Sequence, residues 1–221
     1  MILTHGANSL ASGGQGPGTV EIGGRNYSTI IMPDGNEWLA ENLDYKFQVD
    51  GNQITLNIQW TVPNYPAAWY YNRDEASYGI DGTYKCGLLY NGFAARYLEV
   101  NKETLLPDGW HVPSYTEWQA LKTAIGNDGG AKLKAIDNSV TSSWPSEWNG
   151  TNETGFNALP AGLFQDDNPQ WLNVGTLFWS STNLAERYDY AAKLHIDYTN
   201  MDIIHQSAYS AYSIRLIKTA S

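Results

Sequence analysis

Leu177-Phe178-Trp179-Ser180-Ser181-Thr182 and Ser213-Ile214-Arg215-Leu216-Ile217-Lys218 are two apolar runs that read as buried strand, and they bracket a segment of very different composition. Between them stand Asn183, Tyr188, Asp189, Tyr190, Tyr198, Asn200, Asp202, His205, Ser207, Tyr209, Ser210 and Tyr212. An interval pinned at both ends and filled with Tyr, Asn, Asp, Ser and His has the make-up of a paratope. Rigid aromatics supply contact area at low entropic cost, and short polar groups adapt their hydrogen bonds. The expectation is a displayed ligand-binding surface over 183–212. Tyr188, Tyr198, Tyr209 and Tyr212 would be its aromatic anchors, and Asn183, Asp189, Asn200, Asp202, His205 and Ser207 its adaptable contacts. An antiparallel strand pair with ordinary polar loops has the same composition and stays open as the alternative.

Within this segment Ala192, Leu194 and Ile196 alternate with Lys193, His195 and Asp197, the pattern of a strand with one wet face. The closing run is read the same way, Tyr212, Ile214 and Leu216 against Ser213, Arg215 and Ile217. Upstream, 155–162 reads as a short buried strand ended near Pro160 and Gly162. The clearest helix starts at Ser114, an N-cap with Glu117 three residues on, and puts Trp118, Leu121 and Ile125 on one face before Gly126. A shorter helix is expected over 131–136, and another after the strand 87–91, with Ala94, Ala95, Tyr97 and Leu98 at helical spacing. Residues 46–85 are poor in periodicity and read as an elaborated loop with a short strand near 54–58. Glu37 to Leu43 reads as a strand anchored by Trp38. Val20-Glu21-Ile22 and Tyr27 to Ile31 flank Gly23-Gly24 as a hairpin, preceded by a Gly- and Ser-rich arm over 1–19. The domain reading is that arm followed by one α+β domain over 20–221.

The 221 residues carry a formal charge of −10 and no basic run, which argues against a nucleic-acid partner. The 9 Trp and 15 Tyr outnumber the 5 Phe, so many core aromatics bring an N–H or O–H that needs an acceptor. One cysteine, Cys86, excludes an internal disulfide framework and a multi-cysteine metal centre, and is expected to be a buried structural thiol. The N-terminus lacks the charged and apolar regions of a signal peptide, and no stretch is long and apolar enough to suggest membrane insertion. A cytoplasmic product, later virion-associated, is the expectation.

Six spaced blocks now fall in order: Trp38-Leu39-Ala40-Glu41-Asn42-Leu43, Gly87-Leu88-Leu89-Tyr90-Asn91, Gly109-Trp110-His111-Val112-Pro113-Ser114 with Glu117-Trp118, Gly155-Phe156-Asn157-Ala158-Leu159-Pro160-Ala161-Gly162, Trp179-Ser180-Ser181-Thr182 and Ser213-Ile214-Arg215. Together they resemble the Fibrobacter succinogenes major paralogous domain over about residues 20–218. That resemblance implies a C-type lectin-like fold, related to the formylglycine-generating enzymes. Leu106-Pro107-Asp108 stands where the family often has Cys-Pro, and Leu216 where it often has Cys. The reactive cysteine pair of the catalytic branch is absent, so the fold is carried over without the activity. The segment 183–212 also resembles the C-terminal region of the variable proteins of diversity-generating retroelements. Adenine-directed rewriting there converts Asn codons into Tyr, Asp, His and Ser. By that resemblance the protein is a receptor or adhesin of a bacteriophage or other mobile element, binding a bacterial surface protein or glycan. An oligomer would raise a weak affinity through multivalency.

No catalytic residue, metal site or cofactor is expected. His111 has no partner at an interpretable spacing and reads as a hydrogen-bonded structural histidine, while His195 and His205 read as contact residues. Asp166-Asp167-Asn168 lacks the spaced acidic pattern of a calcium loop and reads as a solvated turn. The alternative function is an undiversified glycan-binding module using the loop tryptophans Trp144, Trp148 and Trp171, any of which could instead cap the core.

Overall fold

The computed structural model describes residues 18–57, 64–71, 86–136, 144–145 and 150–220. The arm over 1–17 and Trp148 lie outside those residues. In chain order the strands and helices are β1 (Gly18–Ile22), β2 (Arg25–Ile31), β3 (Glu37–Leu39), β4 (Gln48–Val49), β5 (Asn52–Gln53), β6 (Thr55–Leu56), β7 (Ala67–Trp69), β8 (Leu89–Asn91), α1 (Gly92–Val100), α2 (Lys102–Leu105), β9 (Trp110–His111), α3 (Tyr115–Ile125), α4 (Gly129–Leu133), β10 (Ala161–Gln165), β11 (Asn168–Leu172), β12 (Gly175–Ala185), β13 (Tyr188–His195), β14 (Asp202–Ser207), β15 (Ala211–Tyr212) and β16 (Ile217–Lys218). The architecture is α+β, built on small mixed sheets with few helices.

Two sheets carry the fold. In the five-stranded sheet the order is β1-β2-β3-β16-β9, so the C-terminal strand lies between β3 from the N-terminal part and β9 from mid-chain, with Ile217 opposite both Trp38 and His111. The larger sheet runs β14-β13-β12-β10-β15-β8-β7-β6, with β11 paired to β10. β14 is its edge. The Gly23-Gly24 hairpin forms as read, both glycines at positive φ, as a two-residue turn matching the strand twist requires.

α3 joins the two sheets. Ser114 accepts from the Glu117 N–H, and the Glu117 carboxylate reaches back to the Ser114 N–H, so two of the orphan donors of the helix start are satisfied. Trp118 is fully buried, 4.8 Å from Trp38 of the small sheet and 5.9 Å from Phe178 of the large one, and its indole donates to the Trp179 carbonyl. On the other side of the large sheet α1 starts at Asn91, whose side chain caps the Ala94 N–H, and buries Ala94, Ala95 and Leu98.

Arg215 departs from the alternating pattern read for the closing run. All of 211–217 is buried, and only Ile217 and Lys218 form regular strand there after Tyr212. The Arg215 guanidinium donates to Asn42 Oδ1 (2.7 Å) and to the carbonyls of Leu39 (2.9 Å), Phe156 (2.6 Å) and Asn157 (3.1 Å). It lies 4.5 Å from the Phe156 ring and 5.5 Å from that of Phe178. Asn42 in turn donates to the Cys86 carbonyl and to Ser213 Oγ. Burial pulls the guanidinium down to about 9, against the charge of Glu41, and it stays charged at neutral pH.

The same hub explains a second correction. Residues 155–160 form no strand beyond a bridge from Ala158 to Lys134, because the carbonyls of Phe156 and Asn157 are taken by Arg215; β10 begins only at Ala161. It then runs through Gly162 at φ 72, where a Cβ would strike the Tyr71 ring and the Gln170 carbonyl. The second helix also shifts, to Gly129–Leu133, because Leu133 and Ala135 exchange hydrogen bonds with Ala158 instead of continuing the turn; within it Gly130 packs against the Asn200 backbone with no room for a side chain. Glu37 to Leu43 is strand only through Leu39. Asp166 and Asp167 form the tight β10–β11 turn, both at positive φ and exposed. Cys86 is buried.

Candidate functional site

The eleven residues expected to form one contact face are divided by the structure. β13 pairs β14 with Tyr188 opposite Ser207, Asp189 opposite Gln206 and Tyr190 opposite His205. Cross-strand partners share a face and successive residues alternate. Tyr188, Tyr190, His205 and Ser207 therefore lie on the side covered by α3, and Asp189 on the side covered by α1. Tyr198, Asn200 and Asp202 lie at the far end of β13, about 23 Å away along the strand.

On the α3 side the Tyr115 ring stands 4.5 Å from that of Tyr190, and the Tyr188 ring 6.4 Å from His205. Gln119, one turn along α3, donates to the Tyr115 hydroxyl. Tyr188 is 49% exposed and His205 is exposed, whereas Tyr190, Tyr115 and Ser207 are half-buried. Asn183 is exposed at the hairpin tip beside them. The tip is displaced by register shifts between Trp179 and Asn183 and again before Ala185. In that interval the Ser181 N–H bonds the Pro113 carbonyl, and Thr182 Oγ1 accepts from the Tyr115 N–H, so the bulge is docked on the start of α3.

Two of the expected contacts are corrected. Asp189 is 1% exposed, its carboxylate forked by Arg96 of α1 at 2.8 to 3.1 Å, and Arg96 also donates to the Glu186 carbonyl at the turn. Burial raises the Asp189 carboxyl against the opposing pull of Arg96. Gly92 is needed beneath it, since a Cβ there would collide with the carboxylate and with Ala208. Tyr212 is 1% exposed, its ring tilted against that of Trp179 at 4.4 Å, with its hydroxyl donating to Gln206 Oε1 and pushed up to about 12 by burial. Both residues hold the strands that carry the exposed ones. Tyr209 is half-buried, 5.3 Å from the Phe93 ring, and Ser210 is buried.

At the far end Tyr198 and Asn200 are exposed, and Asp202 is half-buried. The turn is fixed from below by Lys134, whose ammonium donates to the carbonyls of His195 (2.7 Å) and Tyr198 (2.9 Å) over the Trp144 ring; burial pulls it down to about 8. His195 accepts the Asp197 N–H at Nδ1, and burial lowers its pKa. Asn200 and Met201 border a cleft of about 660 Å³ whose other wall is the exposed face of α3. Tyr115, Gln119, Lys122 and Met201 were not part of the sequence reading. For the three on α3 the signal is the polar stripe at i, i+4 and i+7, flanking Trp118; Met201 carries no such signal.

The tryptophan reading is corrected at Trp144, which is buried and donates to the Ala158 carbonyl; it caps the core. Trp171 is half-buried at φ 63, edge-on to His195 at 5.0 Å. His111 is the hydrogen-bonded structural histidine expected: Nε2 meets Glu117 at 2.8 Å and Nδ1 meets the Gly109 carbonyl at 3.1 Å. Acceptors at both ring nitrogens favour the doubly protonated ring, and the Glu117 hydrogen bond raises its pKa against burial. Among the described residues no group of three or more His, Cys, Asp or Glu is placed to hold a metal ion, and no helix is long and apolar enough to cross a membrane.

The family model for the Fibrobacter succinogenes major domain matches residues 34–218. No curated protein and no solved structure matches the chain.

Proposed function

The chain belongs to the Fibrobacter succinogenes major domain family, and on that premise we propose that it is a ligand-binding protein on a C-type lectin-like scaffold. The β12–β13 tip and edge strand β14 form its contact face, diversified by a retroelement. The partner is a bacterial surface protein or glycan, the carrier is a phage or other mobile element, and the ligand is bound rather than turned over. The observation that carries the reading is the separation of exposed Asn183, Tyr188 and His205 from the closed machinery beneath them. Arg96, Asp189 and Tyr212 fix the strands, so the tip presents aromatic and polar groups with little ordering left to lose on binding.

The face is smaller than the sequence suggests, because buried Asp189 and Tyr212 can contact no partner. The test has two arms. The DNA beside the gene is expected to hold a reverse transcriptase and a near-copy of the segment encoding 177–218, with adenine differences at codons 183, 188 and 205 and none at 189 or 212. The variant Tyr188→Ala/His205→Ala is expected to lose attachment to host cells at unchanged melting temperature. Absence of the near-copy together with full attachment by that variant would reject the proposal.

A further inference from the structure

The cleft at the C-terminal half of α3 is separate from the tyrosine tip and has its own chemistry. Its volume of about 660 Å³ lies within the span of small-molecule sites, roughly 300–1,000 Å³, and has room for more than one sugar ring. Its walls are Gln119, Lys122 and Thr123 from α3, Asn127 just beyond it, and Asn200 and Met201 from the turn before β14.

Three primary amides in one cleft provide paired donors and acceptors, the complement of vicinal hydroxyls, each of which both donates and accepts. Asn127, Asn200 and Lys122 make no side-chain hydrogen bond or ion pair among the described residues, so these groups are available to a ligand. Thr123 donates its hydroxyl to the Gln119 backbone carbonyl and keeps its lone pairs, and the Gln119 side chain spends one N–H on Tyr115 and keeps Oε1. Met201 supplies an apolar surface for the C–H face of a ring. No lining residue carries a carboxylate, and the one charge is the Lys122 ammonium. The carbonyls at the end of α3 would oppose an anion, but the Lys132 ammonium covers the Ile125 carbonyl at 2.9 Å. Asp128, the residue after Asn127, is engaged by the Thr199 hydroxyl at 3.0 Å.

We propose that this cleft is a binding site for an acidic sugar, a pyranose bearing hydroxyls and one carboxylate. Lys122 takes the carboxylate, and Asn127, Asn200 and Gln119 take the ring hydroxyls. The turn over 195–198 is locked by Lys134, so the Asn200 wall is preformed. The site is independent of the tip residues Tyr188 and His205.

The test is an amide-resolved NMR titration of the whole chain with sodium digalacturonate, galactose and sodium acetate. Digalacturonate is expected to shift the amides of 119–127 and 199–201 with a dissociation constant of about 1 mM or tighter. Galactose should bind at least about tenfold more weakly for want of the charge-assisted contact, and acetate should not saturate. Lys122→Gln is expected to bring digalacturonate down to the level of galactose. Asn200→Ala is expected to weaken both sugars, and Tyr188→Ala/His205→Ala to change neither. No shifts at the cleft up to about 50 mM digalacturonate, or equal binding by Lys122→Gln, would overturn the proposal. Either result would leave the tip reading untouched.

Discussion

Arg215 is a cation with no carboxylate in contact among the described residues, and its charge is balanced by four oxygen acceptors and two aromatic faces. Arg215→Met would leave Asn42 Oδ1 and three backbone carbonyls without this donor, and at about 1–3 kcal/mol for each buried acceptor left unsatisfied should cost at least about 3 kcal/mol in a urea unfolding measurement. Arg215→Lys restores the charge but not the planar fork, and should recover only part of that loss. The second residue-scale prediction concerns pH. The Glu117 hydrogen bond raises His111 above 6.5 against burial, while burial of Glu117 is outweighed by His111 and Ser114, which hold its carboxyl at about 2 instead of 4.5. The histidine contribution is complete below pH 6.5 and lost as pH rises through its raised value; the glutamate contribution is complete above 4.5 and lost as pH falls toward 2. Urea midpoints should therefore peak between these limits, and Glu117→Gln should flatten both flanks. An unchanged profile in that variant would reject the pairing. Neither role was fully legible in the sequence. The Ser114–Glu117 spacing announced the cap, but the alternation of 212–217 placed Arg215 on a wet face, since a strand pattern does not reveal acceptors brought in from residues 39, 42 and 156.

Elements that depend on local chemistry were read well, and those that depend on distant partners were not. α3, the Gly23-Gly24 hairpin and the strand-to-helix passage at Asn91 each carry their own cap or turn residue. β10 was placed too early because the competitor for its carbonyls lies more than fifty positions away in sequence. The β12–β13 hairpin is the element on which the proposed function depends, and its tip is held from α1 by Arg96. Arg96→Ala strands the buried Asp189 carboxylate and frees the Glu186 carbonyl, so it should cost about 3 kcal/mol and speed amide exchange over 183–190. Replacing the pair by Arg96→Met and Asp189→Leu should restore most of the stability, because an apolar substitute leaves no charge behind. Full stability of Arg96→Ala would show that the tip is held by other means.

At the scale of the molecule the two closing runs have different tasks. β16 inserts between β3 and β9 and seals the small sheet, while β12 passes through both core regions before emerging as the exposed hairpin. Their apolar character marked both as scaffold in the sequence. The polar interval between them was legible as surface only in part, because Tyr and Asp serve equally as contact groups and as buried partners of Trp179 and Arg96. This partition yields a prediction for a saturation library over the eleven positions, displayed on cells and sorted for folding alone. Substitutions at exposed Asn183, Tyr188, Tyr198, Asn200 and His205 remove few packed contacts, and each should stay within about 0.5 kcal/mol of the parent. Those at Asp189 and Tyr212 leave the half-buried Arg96 guanidinium without its carboxylate or a cavity against Trp179, and should be depleted at a cost of about 2–3 kcal/mol. Half-buried Tyr190, Ser207, Tyr209 and Asp202 should fall between. If Tyr212 and Asp189 accepted change as freely as Tyr188, the hairpin could not be held as described, and the separation of contact face from scaffold would fail with it.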